Sequence, residues 1–250
     1  MPVHDWTRVD DGVFHDFHLA WIAELRRVLN GGLLPAGLYA LAEQVTGGGN
    51  PDVLALHEPT PDGSPPPLAW ETGNAGLLTA EPRTRVIARA DRESYTARQR
   101  RMVIRHTSGN RIVAMIEIVS AGNKGGAHAW RTLVDKTLAA LSRGIHLLIL
   151  DLHPPTPRDP NGIHAAVWEV LAGESYHLPA DANRTVVAYS AGPVKVAYME
   201  PVAVGQPLPP MPLFLTADGI GHVEVPLEAT YQAAYSGVPR LYRTVLESAT

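Results

Sequence analysis

The chain of 250 residues contains no cysteine, which excludes a disulfide framework, a thiolate metal site and a cysteine nucleophile. It also lacks any apolar run approaching the roughly 20 residues that a membrane-spanning helix needs. The acidic N-terminal stretch, residues 1–17, has neither the basic region nor the apolar region of a signal peptide. These absences predict a soluble cytoplasmic protein with no membrane partner.

Lysine is scarce, with three residues against 18 arginines, and the net charge is -4. The arginines are unevenly distributed. Residues 83–111 hold nine arginines and two acidic residues, so this stretch carries +7 and the rest of the chain -11. Because binding to a phosphate backbone needs local positive charge, the stretch indicates either a surface that faces DNA or a solvated charged face.

The most informative stretch is residues 112–118, IVAMIEI, in which six of seven residues are apolar. A short apolar run between glycine-containing turns is typical of a buried strand. The exception is Glu117, and burial penalises a carboxylate unless it is paired or bound to a metal. Glu117 is therefore either a functional carboxylate on a rigid strand or a surface residue at an exposed strand end.

Periodicity predicts the elements around this strand. Apolar residues recur at helical spacing over 14–30 and 127–144, and residues 145–152, IHLLILDL, form an apolar run. A strand, a helix and a second strand in succession predict a parallel βαβ unit. Further strands are predicted over 38–46, 51–58, 83–90 and 101–107, the last forming a hairpin with the Glu117 strand, and residues 59–83 form a Pro/Gly-rich insertion.

The C-terminal part continues with shorter elements. We expect a core over residues 1–152 and an elaboration over 153–250 packed on it. The expected elements of the elaboration are a short helix at 164–172, a hairpin of 185–190 with 195–202, a proline linker at 205–212 and a helix within 225–245.

Four stretches carry a resemblance to known families. They are HDFH at 15–18, PDV at 51–53, IEIVSAGNK at 116–124 and GIHLLILDL at 144–152. They resemble a bacterial family, domain-of-unknown-function family 4058, in which the third stretch usually reads IEVLSPxNK. The α-β-β-β-α-β order resembles the PD-(D/E)XK nuclease superfamily. Together these resemblances cover nearly the whole chain and imply an α/β, restriction-endonuclease-like core with an added C-terminal β-hairpin and helix.

The superfamily resemblance implies a site in which Asp52 and Glu117 hold Mg²⁺ against a phosphodiester, with Glu43 as a third acidic residue. Mg²⁺ prefers oxygen ligands and lowers the pKa of its bound water. The superfamily lysine should stand two residues after Glu117, but Val119 occupies that position. Lys124 matches the lysine of the family's NK motif, and its short spacing favours it for that role.

Several alternatives stay open. Lys136, on the following helix, competes with Lys124, and Glu24 competes with Glu43. His15 and His18 share one helical face and form either a metal pair or a capping and packing pair. Two functions remain: a Mg²⁺-dependent nuclease with DNA as its partner, and a non-catalytic binding or interaction module that kept the nuclease fold. The oligomeric state, including a homodimer, is left open.

Overall fold

The computed structural model describes residues 3–42, 53–57, 77–90 and 112–248. Its α-helices are α1 (Asp11–Val28), α2 (Ala121–Lys124), α3 (Ala127–Ser142), α4 (Gly162–Ala172), α5 (Leu227–Tyr235) and α6 (Arg240–Glu247). Its strands are β1 (Leu38–Leu41), β2 (Val53–His57), β3 (Val86–Ala90), β4 (Ile112–Ile118), β5 (His146–Asp151), β6 (Arg184–Ser190), β7 (Lys195–Val202), β8 (Met211–Phe214) and β9 (His222–Val225). No helix in these ranges is long and apolar enough to cross a membrane.

Seven strands form one mixed sheet in the order β1-β2-β4-β5-β6-β7-β3. Strands β4 and β5 are parallel, and every other neighbouring pair in this sheet is antiparallel. The prediction of a mixed α/β protein is confirmed. Strands β8 and β9 form a separate antiparallel pair that packs against β5 and β6.

Helix α3 makes the crossover between the parallel strands β4 and β5, which confirms the βαβ unit read from periodicity. Its buried side chains recur at helical spacing and face the sheet: Trp130, Leu133, Thr137, Leu138, Ala140 and Leu141. The chain leaves the helix at Gly144, whose φ of 75° lies in the left-handed region that glycine adopts at low cost. It then enters β5 directly.

The sheet separates two hydrophobic layers. On one face, Ile116 and Ile118 pack in a cluster with side chains of α1, α5, β8 and β9. On the other face, Met115 and Val119 pack with α3 and α4. Because side chains alternate along a strand, Glu117 shares the α3 face with Met115 and Val119.

The C-terminal half differs from expectation in two places. Residues 205–212 were expected to be a linker, but β8 begins at Met211 and pairs with β9. The single helix expected over 225–245 is divided, because Pro239 cannot continue a helix and instead caps the start of α6. The predicted hairpin of β6 and β7 is present and continues the main sheet beside β5. The strand expected at 101–107 lies outside the described residues.

Candidate functional site

Glu117 lies near the carboxyl end of β4 and is buried. Its neighbour across the parallel ladder is Ile149, and its neighbours on the same face of β4 are Met115 and Val119. An ionised carboxylate among apolar side chains needs a cationic partner or a metal to offset its lost hydration. The reading of Glu117 as an exposed strand-end residue is therefore wrong.

Lys136 is that partner. Its Nζ donates to Oε2 of Glu117 at 2.7 Å. Lys136 lies three residues after Leu133 on α3, so it borders the helix face that packs on the sheet. Packing of α3 against the strands thus places a lysine beside Glu117, although the two residues are 19 positions apart in the sequence.

Lys124 was expected beside Glu117, and the structure places it in a different cluster. Its Nζ lies 2.8 Å from Oδ2 of Asp151 and 2.9 Å from Oδ2 of Asp159. It also donates to the backbone carbonyls of His153 and Pro154, each at 3.2 Å. The reason is local: after β4 the chain forms the short helix α2, which carries Lys124 to the end of the adjacent strand β5.

The carboxylates around Lys124 are held on their other oxygens. Oδ1 of Asp151 accepts from the backbone N of His153 at 3.3 Å, and Oδ1 of Asp159 accepts from the backbone N and the hydroxyl of Thr156. Burial raises the pKa of Asp151 to about 6, although Lys124 acts in the opposite direction. Desolvation therefore outweighs the ion pair at this carboxyl.

Two of the expected site residues, Asp52 and Glu43, lie outside the described residues. The register beside Asp52 is described: Val53, the residue after it, pairs with Ile116, the residue before Glu117.

Glu24, the competitor of Glu43, lies on α1, on the opposite face of the sheet, and pairs with Arg27 at 2.7 Å. Glu24 therefore has a local partner and is not on the Glu117 face.

Of the nine arginines in residues 83–111, the structure describes Arg83, Arg85 and Arg89. Arg85 pairs with Glu200, and Arg89 pairs with Glu81. Among the described strands, β3 lies at the end of the sheet opposite β1, four positions from β4. Arg89 shares its face with Ile87, which packs on the α1 layer, so this arginine is on the opposite face from Glu117. The other six lie outside the described residues.

His15 and His18 lie together on α1, with ring centroids 6.3 Å apart. Within the described ranges, no group of three or more His, Cys, Asp or Glu side chains is arranged to hold a metal ion. The two histidines therefore gain no third protein ligand from that part of the chain. The ring of His18 also stacks with Phe14, which fits the packing alternative.

Sequence reasoning missed the role of Asp151 and Asp159. Asp151 ends an apolar run just as Glu117 does, so the desolvation argument applied to Glu117 would have selected it too. Asp159 lies in a proline-rich stretch with no periodicity, and nothing local in the sequence marks it. No protein-family model, no curated protein and no solved structure matches the chain.

Proposed function

We propose that the chain is a Mg²⁺-dependent nuclease of the PD-(D/E)XK type, with Glu117 and Asp52 as metal ligands and Lys136 as the cationic residue. The observation that carries this proposal is the buried Glu117 carboxylate with the Lys136 ammonium at 2.7 Å. It is the pairing of acid and lysine that the resemblance implies, with the lysine supplied by α3 rather than by β4.

The order of elements supports the proposal. Apart from β3, which pairs with β7, and the short helix α2, the described chain runs α1, β1, β2, β4, α3, β5. The first three of these strands are antiparallel neighbours, and β5 runs parallel to β4. This succession supports the α-β-β-β-α-β core that the resemblance implies. The pairing of Val53 with Ile116 puts the start of β2 beside the Glu117 end of β4.

The donor chemistry fits Mg²⁺, which takes carboxylate oxygens and retains several waters. Glu117 would hold the ion together with Asp52. When bound, Mg²⁺ supplies a water of lowered pKa and offsets charge on the phosphoryl group. Lys136 already lies against the carboxylate, so its ammonium would stabilise negative charge on a substrate oxygen at the same place.

The test is a cleavage assay on plasmid DNA, single-stranded DNA and RNA, with Mg²⁺, Mn²⁺, Ca²⁺ or a chelator. We expect cleavage of at least one substrate with Mg²⁺ or Mn²⁺, and none with the chelator. Glu117→Gln and Lys136→Met should each lose about 100-fold or more in rate. Glu81→Gln, at a carboxylate on the opposite face, is the matched control and should keep the rate.

The binding-module alternative makes the opposite prediction for the same assay. In that case Lys136 only neutralises Glu117, and all proteins, including the unsubstituted chain, are inactive with every metal. Activity that survives Glu117→Gln would show a contaminating nuclease and would contradict the proposed site. Because each variant is purified identically, residual contamination is recognised by its indifference to the substitutions.

A further inference from the structure

The Nζ atom of Lys124 is surrounded by four oxygen atoms inside the protein. Two are carboxylate oxygens, from Asp151 at 2.8 Å and Asp159 at 2.9 Å. Two are backbone carbonyl oxygens, from His153 and Pro154, each at 3.2 Å. All four come from the end of β5 and the segment that follows it, whereas the lysine comes from α2.

These oxygens are held in place without help from the lysine. The second oxygen of Asp159 accepts from the backbone N of Thr156 at 2.8 Å, and that of Asp151 accepts from the backbone N of His153. His153 and Asp159 are themselves buried. Each carboxylate is therefore fixed at one oxygen by the backbone and directs its other oxygen at the ammonium.

The charges and the distances both favour an ammonium group among these four oxygens. Two carboxylates face one ammonium, an arrangement that favours a cation between them. Two arginines lie nearby: Arg184, which pairs with Asp5, also interacts with Asp151, and Arg158 donates to the backbone carbonyl of Lys124 at 3.5 Å. The four oxygens lie 2.8–3.2 Å from the Lys124 Nζ, which are ordinary hydrogen-bond distances for an ammonium group. They suit an ammonium ion.

We propose that these four oxygens form a binding site for a monovalent ammonium-type cation, which the chain fills with its own Lys124. Lys124 is then a built-in structural cation that joins α2 to the segment after β5, and it is not part of the Glu117 site. This assignment is independent of the proposed nuclease activity, because it concerns neither Glu117 nor a metal.

The test removes the lysine and supplies its missing atoms. Lys124→Ala leaves a cavity whose lost fragment is propylammonium. We expect propylammonium to raise the melting temperature of this variant by about 3 °C or more at roughly ten times its Kd. The uncharged analogue 1-propanol should not do so. The unsubstituted protein should not respond either, because its site is filled.

The matched control is Lys195→Ala. Lys195 donates to two backbone carbonyls, those of Ala191 at 3.1 Å and Gly192 at 2.8 Å, and lies on β7. Since no ion pair accompanies these contacts among the described residues, propylammonium should leave Lys195→Ala unchanged. Equal stabilisation of both variants, or stabilisation by 1-propanol alone, overturns the proposal.

A second measurement needs no variant that could fail to fold. The chain has three lysines, so ¹⁵N labelling of lysine gives three ammonium signals. Because four oxygens enclose Lys124, its ammonium hydrogens should exchange with water more slowly than those of Lys136 and Lys195. Exchange at Lys124 as fast as at Lys195 would overturn the enclosed site.

Discussion

Two lysine–carboxylate groups lie near the carboxyl ends of the parallel strands β4 and β5, and they differ in burial and in charge balance. The Lys124 side chain is 4% exposed and faces two carboxylates that are 2% and 0% exposed. The Lys136 side chain is 16% exposed and pairs with one carboxylate, Glu117, which is 10% exposed. The first group is closed to solvent and has two carboxylates around one ammonium, and the second is partly open.

This difference bears on the proposed nuclease site. A site that binds substrate must admit solvent. The Lys136–Glu117 pair is partly exposed, whereas Lys124 is enclosed by groups of the same chain. The lysine closer to Glu117 in sequence therefore pairs with Asp151 and Asp159, because the β4–α2 turn directs it to the neighbouring strand.

The largest expected effect is on stability. Lys124→Met leaves two buried carboxylates without their cation and should cost about 3–5 kcal/mol in the free energy of unfolding. Lys136→Met removes one charged hydrogen bond at a partly open position and should cost less, about 1.5–3 kcal/mol. Urea unfolding followed by circular dichroism measures both. A larger loss of unfolding free energy in Lys136→Met than in Lys124→Met would contradict the assignment of Lys124 as the more stabilising of the two lysines.

The next effect is on the pH dependence of stability. The pKa of Asp151 rises from 3.8 to about 6 in the folded chain. The folded state therefore binds this proton more tightly, and the associated stability, up to about 3 kcal/mol, is present below pH 4 and lost as the pH rises through 6. Asp151→Asn, which cannot ionise, should not show this contribution.

The measurement is the difference in unfolding free energy between Asp151→Asn and the unsubstituted protein from pH 4 to pH 7. Burial lowers the pKa of His164 to about 4, which acts in the opposite sense, but in both proteins, so it cancels in the difference. Asp135→Asn, at an exposed position of α3, is the control. A difference in unfolding free energy that does not vary with pH would show that Asp151 is not the group that binds this proton.

A comparable effect separates the two lysines by activity. If the proposed nuclease cleaves DNA, Lys136→Met should lower the rate about 100-fold, which corresponds to about 2.7 kcal/mol. Lys124→Met, assayed well below its unfolding temperature, should stay within a few-fold of the unsubstituted protein. The ratio of the two rates is the relevant measurement. An equal loss of cleavage rate in Lys136→Met and Lys124→Met would show that Lys124 also contributes to the proposed active site.

The smallest effect is expected at an exposed ion pair. Glu81 and Arg89 have side chains 51% and 58% exposed. Because solvent screens such pairs, Glu81→Gln should change the free energy of unfolding by less than about 1 kcal/mol. The same urea titration measures this change in the free energy of unfolding. Together with the two lysine variants, it tests whether the free-energy cost of breaking an ion pair rises with the burial of that pair. A larger loss of unfolding free energy in Glu81→Gln than in Lys136→Met would contradict this dependence on burial.

The sequence predicted the elements with strong periodicity and missed those without it. Helix α3 and strands β4 and β5 have clear apolar patterns, and their parallel arrangement followed from their order. Strands β8 and β9 are four residues each and adjoin a proline-rich stretch, so composition suggested a linker. The break before α6 was readable, since Pro239 stands within the expected helix.

The site was predictable only in part. Glu117 was found because a carboxylate in an apolar run is costly, and Lys136 was recognised only as an alternative. To decide which of the two lysines pairs with Glu117, one needs the path of the chain after β4. Distance along the sequence does not provide that path. The partners of Lys124 depend on how the segment after β5 folds back, as Asp159 illustrates.

The position of β3 in the sheet has a consequence for the order in which the protein folds as it is synthesised. Val86 in β3 pairs with Met199 in β7, so the early strand meets its partner only after most of the chain has left the ribosome. At translation rates of about 5–20 residues per second, this wait lasts roughly 5–20 s. Until β7 has been synthesised, β3 therefore lacks the pairing that it has in the folded sheet.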